Sequence, residues 1–232
     1  MASVLSTNLL NSQLEGSTLA GQMVCARCQD TGWERVNQGP ISSVRRCTAA
    51  VHLRDSLIAA NVPQHCAKCS LEEFAVPSSS IGLLEKINQF CGAYPKISEG
   101  FFLTGGPGTG KTHLAIAIMA ELMSRGARRL RFYDTTDLLR RLDPESGVLG
   151  SRQRRELQQE AQSTGMIVLD DFGAESLTGS EIEQLDYLID CHYRITRPII
   201  VTSRLRSDEL SLIFKPRLIS RMMSMVTEIS LD

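Results

Sequence analysis

The stretch "FFLTGGPGTGKTHLA", residues 101–115, decides the fold. An apolar run enters a glycine turn, and Lys111-Thr112 opens a new apolar segment. Gly105, Gly106, Pro107, Gly108, Thr109, Gly110, Lys111 and Thr112 satisfy the pattern G-x-x-x-x-G-K-[ST] in full. Upstream, "FFLTG" reads as a buried strand; downstream, "THLAIAIMAELMSRG" reads as a helix stopped by Gly126. Such glycines let backbone N–H groups converge on phosphate oxygens, and the helix N-terminus adds the positive end of its dipole. Lys111 is expected to bridge the β- and γ-phosphates of ATP, and the Thr112 hydroxyl to ligate Mg²⁺.

A second segment, "MIVLDDFG", supports the same site. Met166 to Leu169 form an apolar strand that ends in Asp170 and Asp171. Asp170 is expected to hold Mg²⁺ through its water shell, and Asp171 to polarise an attacking water as general base. Strands are expected near 101–105, 130–134, 166–170, 198–202 and 226–231. Helices fill the gaps, the clearest at 180–195, where Ile182, Leu185, Leu188 and Ile189 share one face. Alternating strands and helices imply α/β architecture: a five-stranded parallel sheet covered on both faces, as in P-loop ATPases.

The composition is that of a globular chain: 232 residues, 42% apolar and 22% charged, with a net charge of -1. That balance excludes a global attraction to nucleic acid, so any such contact must be local. No apolar run approaches the roughly 20 residues that span a membrane. The first basic residue is Arg27, so the N-terminus lacks the basic start of a signal peptide. The expected location is the cytoplasm, where thiols stay reduced.

Seven cysteines are present, and Cys25, Cys28, Cys47, Cys66 and Cys69 crowd one short stretch. In a reducing compartment, that clustering points to metal. Residues 1–22 read as a flexible start, 23–75 as a cysteine-rich module and linker, and 76–232 as the ATPase core. Cys25, Cys28 and Cys47 stand at zinc-ribbon spacing. Tetrahedral Zn²⁺ needs a fourth ligand, and His52 or the Cys66-x2-Cys69 pair would supply it. Trp33 reads as packing on the ribbon or as a base-stacking platform. Val62 and Phe74 read as an adenine-side wall or as interdomain packing.

These motifs together resemble a known family. "CARCQDTGW", "RRC", "NVPQHCAKCSLEEF", "FFLTGGPGTGKTHLA", "DLLRRL", "MIVLDDFGAE", "RPIIVTSRL" and "RLISRM" stand in the order of the bacterial replicative helicase loaders. These DnaC/DnaI-type proteins belong to the initiator clade of AAA+ ATPases, and the resemblance spans residues 25–231. It implies an N-terminal module that grips the replicative DNA helicase, and a core that binds ATP, Mg²⁺ and single-stranded DNA. It also implies self-association through the ATP interface, where an arginine of "RLISRM" reaches a neighbour's γ-phosphate. Arg221 is the first choice for that arginine, with Arg217 supporting or replacing it. The insertion-sequence (IstB-type) transposition helpers share the core but typically lack the cysteine module. Three other readings stand beside the loader: such a helper, an ATP-bound adaptor with negligible hydrolysis, and a small-molecule kinase. No lid or acceptor pocket of a kinase is visible.

The chain departs from the family at three places. The fourth-strand sensor usually reads Thr-Ser-Asn; here it is Thr202-Ser203-Arg204. Ser203 or Thr202 would then orient the water, or Arg204 would bind the γ-phosphate directly. No Gly-x-Ser-x-Arg-like segment occurs up to Asp232. The usual Cys-x-Cys pair is broken, because Ala49 stands two residues after Cys47. Two arginine clusters, Arg125/Arg128/Arg129/Arg131 and Arg152/Arg154/Arg155, are candidates for single-stranded DNA or for solvated helix faces. His65, His113 and His192 read as structural.

Overall fold

The computed structural model describes residues 33–38, 41–46, 50–74, 82–142, 147–173 and 179–232. Two compact units divide the chain, Met1–Val51 and His52–Asp232. In the first, β1 (Trp33–Gln38) and β2 (Ile41–Arg46) form an antiparallel hairpin with Trp33 opposite Arg46. Trp33 is the first residue of β1. Cys25, Cys28, Cys47 and the side chain of His52 lie outside the described residues, and with them the zinc ribbon expected from sequence. Among the described residues, no group of three or more His, Cys, Asp or Glu is placed to hold a metal.

The second unit is built on strand–helix alternation. After α1 (Ala50–Ala59) and α2 (Leu83–Ala93) come β3 (Gly100–Thr104), α3 (Lys111–Ser124) and β4 (Leu130–Asp134). Then follow α4 (Thr135–Leu142), α5 (Gly147–Ser163), β5 (Met166–Asp170), α6 (Gly179–Arg194) and β6 (Ile199–Ser203). The short α7 (Ser207–Ile213) and α8 (Pro216–Met223) lead into β7 (Val226–Ser230). The five strands from β3 to β7 pair in parallel, in the order β4-β5-β6-β3-β7. Parallel neighbours need a crossover, which is why a helix separates successive strands. None of the described helices is long and apolar enough to cross a membrane.

Side-chain alternation distributes the core to both faces of the sheet. Phe101, Leu103 and Val168 face α2 and α3, among Ile87, Phe90, Leu114 and Ile118. Phe102, Ile167 and Leu169 face α4, α6 and α8, among Leu138, Leu185, Leu188, Ile189, Leu218 and Met222. The inner strands β3, β5 and β6 are buried along their whole length, so "FFL", "IVL" and "IIV" carry no polar alternation. Edge strand β7 alternates buried Val226 with more exposed neighbours, as "VTEIS" requires. Each fully buried Leu or Ile contributes about 1.5–3 kcal/mol over an exposed one.

The stretch ahead of α2 belongs to this same core. Leu57, Val62 and Phe74 are buried with α3, and the Phe132 amide donates to Ala60 O at 2.8 Å. The Phe74 ring covers Gly110: a Cβ there would come within 2.9 Å of it. Gly110 also has φ +90°, a conformation that L side chains rarely adopt. The turn that starts α3 thus admits only glycine.

Candidate nucleotide site

The site lies at the carboxyl ends of the parallel strands, where open α/β sheets bind ligands. Strand β3, flanked by β6 and β7, ends at Thr104, and α3 begins at Lys111. Between them the loop reverses through Gly105 (φ +142°), Gly108 (+80°) and Gly110 (+90°). The first turn of α3 carries no acidic residue, and its N–H groups have no intrahelical partners. That is the cradle an anionic phosphate requires.

Lys111 is buried at 8% exposure, and its ammonium donates to Gly105 O at 2.7 Å and Gly106 O at 2.6 Å. Burial lowers its pKa, while the Asp171 carboxylate opposes that shift. The charge is held over the loop by backbone carbonyls that a phosphate oxygen would replace. Thr112 Oγ1 donates to Asp170, with its two carboxylate oxygens at 2.9 and 3.1 Å. Asp170 also accepts from Thr202 Oγ1 at 2.6 Å. Burial raises the Asp170 pKa, and these hydroxyl bonds pull it back down. A hydroxyl and a carboxylate in contact are hard oxygen donors that suit Mg²⁺ with its waters.

The next residue turns sharply. Asp171 has φ +53°, and its N–H donates to Thr202 Oγ1 at 2.9 Å. Its carboxylate pairs with Arg204, Nε to Oδ1 at 3.2 Å and Nη2 to Oδ2 at 3.1 Å. The residues proposed to replace the missing sensor amide are already engaged. The Ser203 hydroxyl is fully buried and donates to Phe172 O at 2.6 Å, while Thr202 donates to Asp170. Sequence reasoning missed Asp232, whose Oδ1 accepts the Gly106 N–H at 2.7 Å. Its signal is in the pairing of β7 with β3, Ser230 opposite Thr104, which carries residue 232 alongside the loop.

The two arginines of α8 differ. Arg221 forms an ion pair with Asp190 of α6, lies 5.6 Å from the Tyr193 ring centroid, and is 21% exposed. Arg217, one turn earlier, is exposed and has no ion-pair or hydrogen-bond partner among the described residues. In the first basic cluster, Arg125 pairs with Glu121 and Arg131 with Glu160, leaving Arg128 and Arg129 exposed. In the second, Arg155 is exposed, and the side chains of Arg152 and Arg154 lie outside the described set. Cys66 and Cys69 are free thiols packed against the core, and burial raises the pKa of both. His113 Nε2 lies 3.1 Å from Ser70 O, and its ring tilts against Phe74.

Known proteins resemble this chain in sequence and fold. The family model described as IstB-like ATP binding protein matches residues 54–225. The replicative helicase loader DnaC of Escherichia coli (strain K12) is 23% identical over 193 residues, covering 82% of this chain and 78% of DnaC. A crystal structure of the DnaC helicase loader superposes with TM-score 0.65 at 24% identity, over 73% of this chain and all of that one. The replication initiator DnaA bound to AMPPCP and single-stranded DNA superposes with TM-score 0.61 at 25% identity, over 71% of this chain and 50% of that one.

Proposed function

The chain belongs to the IstB-like ATP binding protein family, and from that premise we propose that it is an ATP-hydrolysing loader of the replicative DNA helicase onto single-stranded DNA. The observation that carries the reading is the contact of Thr112 with Asp170 beside the Lys111 ammonium. Similarity to DnaC over most of both chains supports the choice of partner.

Each residue has a task in this reading. The loop amides and Lys111 take the β- and γ-phosphates, the ammonium leaving Gly105 and Gly106 O. Thr112 and Asp170 hold Mg²⁺, which neutralises phosphate charge when bound. Asp171 accepts the proton of the attacking water. Arg217 is the freer of the two α8 arginines, so it takes the role in trans at a neighbour's γ-phosphate, and Arg221 braces the helix. A cation supplied in trans makes hydrolysis depend on assembly. Exposed Arg128, Arg129 and Arg155 are the candidates for DNA phosphates.

In this proposal the helicase-gripping module is residues 23–52, with Zn²⁺ on Cys25, Cys28, Cys47 and His52, whereas Leu57, Val62 and Phe74 pack in the ATPase core.

The second reading is a transposition helper, favoured by the description of the matching family model. One capture experiment separates the two. Tagged protein with Mg·ATP is mixed with the purified replicative helicase of its own host and, separately, with an insertion-sequence transposase. Retention of the helicase, weakened with ADP, is the expected result. Retention of the transposase alone would move the assignment to the helper.

A further inference from the structure

Arg204 stands where the resembled family carries an asparagine, and its surroundings give it a specific task. It follows Ser203 at the end of β6, and Ser203 is paired with Thr104 at the end of β3. The backbone of Arg204 therefore leaves the sheet beside Gly105, where the phosphate loop begins. Both of its arms are engaged with the carboxylate assigned to the attacking water, at 3.2 and 3.1 Å. Asp171 is fixed in this direction by its left-handed turn and by the bond from its N–H to Thr202. The Lys111 ammonium senses both partners, favoured by Asp171 and opposed by Arg204.

The pair is well formed but accessible, with side chains 59% and 33% exposed. Accessible ion pairs of this kind contribute little and exchange readily. A terminal phosphate offers the same fork-compatible oxygens with more charge, and a planar guanidinium prefers it. Removing the guanidinium from Asp171 also returns both carboxylate oxygens to water.

Resting on the ATPase reading above, we infer that Arg204 is a latch thrown by the γ-phosphate. Without a triphosphate it holds Asp171; with one, it transfers to the γ-phosphate and frees Asp171 to receive the water's proton. ADP lacks the oxygens that draw it across, so the latch closes again after hydrolysis. Arg204 would thereby take over, in cis, the discrimination of ATP from ADP.

The test is a two-by-two set of variants, Arg204→Asn, Asp171→Asn and the double substitution. Each is titrated with fluorescent ATP and ADP in the presence of Mg²⁺ at about 0.15 M salt. Arg204→Asn should lower ATP affinity about tenfold and change ADP affinity less than about twofold, the scale of a charge-assisted pair. Asp171→Asn should raise ATP affinity severalfold, because the guanidinium starts free. The decisive comparison lies within the Asp171→Asn background, where loss of Arg204 should still remove about tenfold of the preference for ATP over ADP. Arg204→Lys, which keeps the charge and loses the fork, should fall between.

A static pair behaves differently. If Arg204 only screens Asp171, its removal in the Asp171→Asn background leaves the ATP-to-ADP ratio unchanged, and the latch is refuted. A wild-type protein that binds neither nucleotide refutes the ATPase reading itself, and the latch with it.

Discussion

At the scale of residues, the phosphate loop and its Asp170 were legible because their chemistry is local. The glycines, the cation and the hydroxyl all come from eight consecutive positions, 105–112. The Arg204–Asp171 pair and the Asp232 contact were not legible. Their partners are separated by 33 and 126 residues and meet only through sheet register. His192 was read as structural, and its environment makes that reading testable. It is fully buried on α6 with neither ring nitrogen hydrogen-bonded among the described residues. Burial, aided by the charge of Arg197, drives its pKa down to about 4. The unfolded chain binds that proton near pH 6.5. Stability from the neutral ring is therefore complete above that value and is lost as pH falls toward 4. Between pH 7.5 and 5 the loss amounts to about 2 kcal/mol. Denaturant titrations at both values should show His192→Leu losing less stability than wild type by roughly that amount. Equal losses would mean that the ring is not held neutral.

At the scale of elements, the strands were foreseen almost to the residue, because the inner strands of a parallel sheet must be apolar throughout. Helix α6 was likewise foreseen, its Leu185, Leu188 and Ile189 buried as expected. The difference between the two arginines of α8 was not. Its sequence offers Arg217 and Arg221 one turn apart, and only the packing of α8 on α6 distinguishes them. Asp190 claims Arg221 and also pairs with Arg194 at 2.6 Å. Arg221→Ala should cost about 2 kcal/mol of stability, since it leaves Asp190 partly buried with an exposed partner only. Arg217→Ala should leave the melting temperature unchanged and abolish assembly-dependent turnover. Mixing Arg217→Ala with Lys111→Ala protein should restore some turnover, because each carries the half-site the other lacks. If the Arg221→Ala mixture complements and the Arg217→Ala mixture does not, the trans role belongs to Arg221.

At the scale of the whole molecule, strand–helix alternation foretold a parallel five-stranded sheet but not the order β4-β5-β6-β3-β7, which depends on where each crossover lands. The compact unit that holds the phosphate loop begins at His52. Leu57, Val62 and Phe74 join its core from a stretch whose apolar residues are too scattered to announce a buried element. For residues 23–51, metal is the expected source of folding free energy, since so short a segment has little apolar core. Elemental analysis should find about one zinc per chain. Cys28→Ser should release it and open that segment to protease while ATP binding persists. Metal-free protein with a protease-resistant N-terminal segment would overturn the zinc assignment.

The central claim is that ATP in this cradle governs delivery of a helicase to DNA. Helicase deposited on circular single-stranded DNA tests it most directly, measured as helicase co-sedimenting with the circle in the host's purified components. Wild-type protein with Mg·ATP should load the helicase, and Lys111→Ala should not, because the β- and γ-phosphate charge is then uncompensated. Loading that proceeds equally with Lys111→Ala, or without this protein at all, would contradict the account.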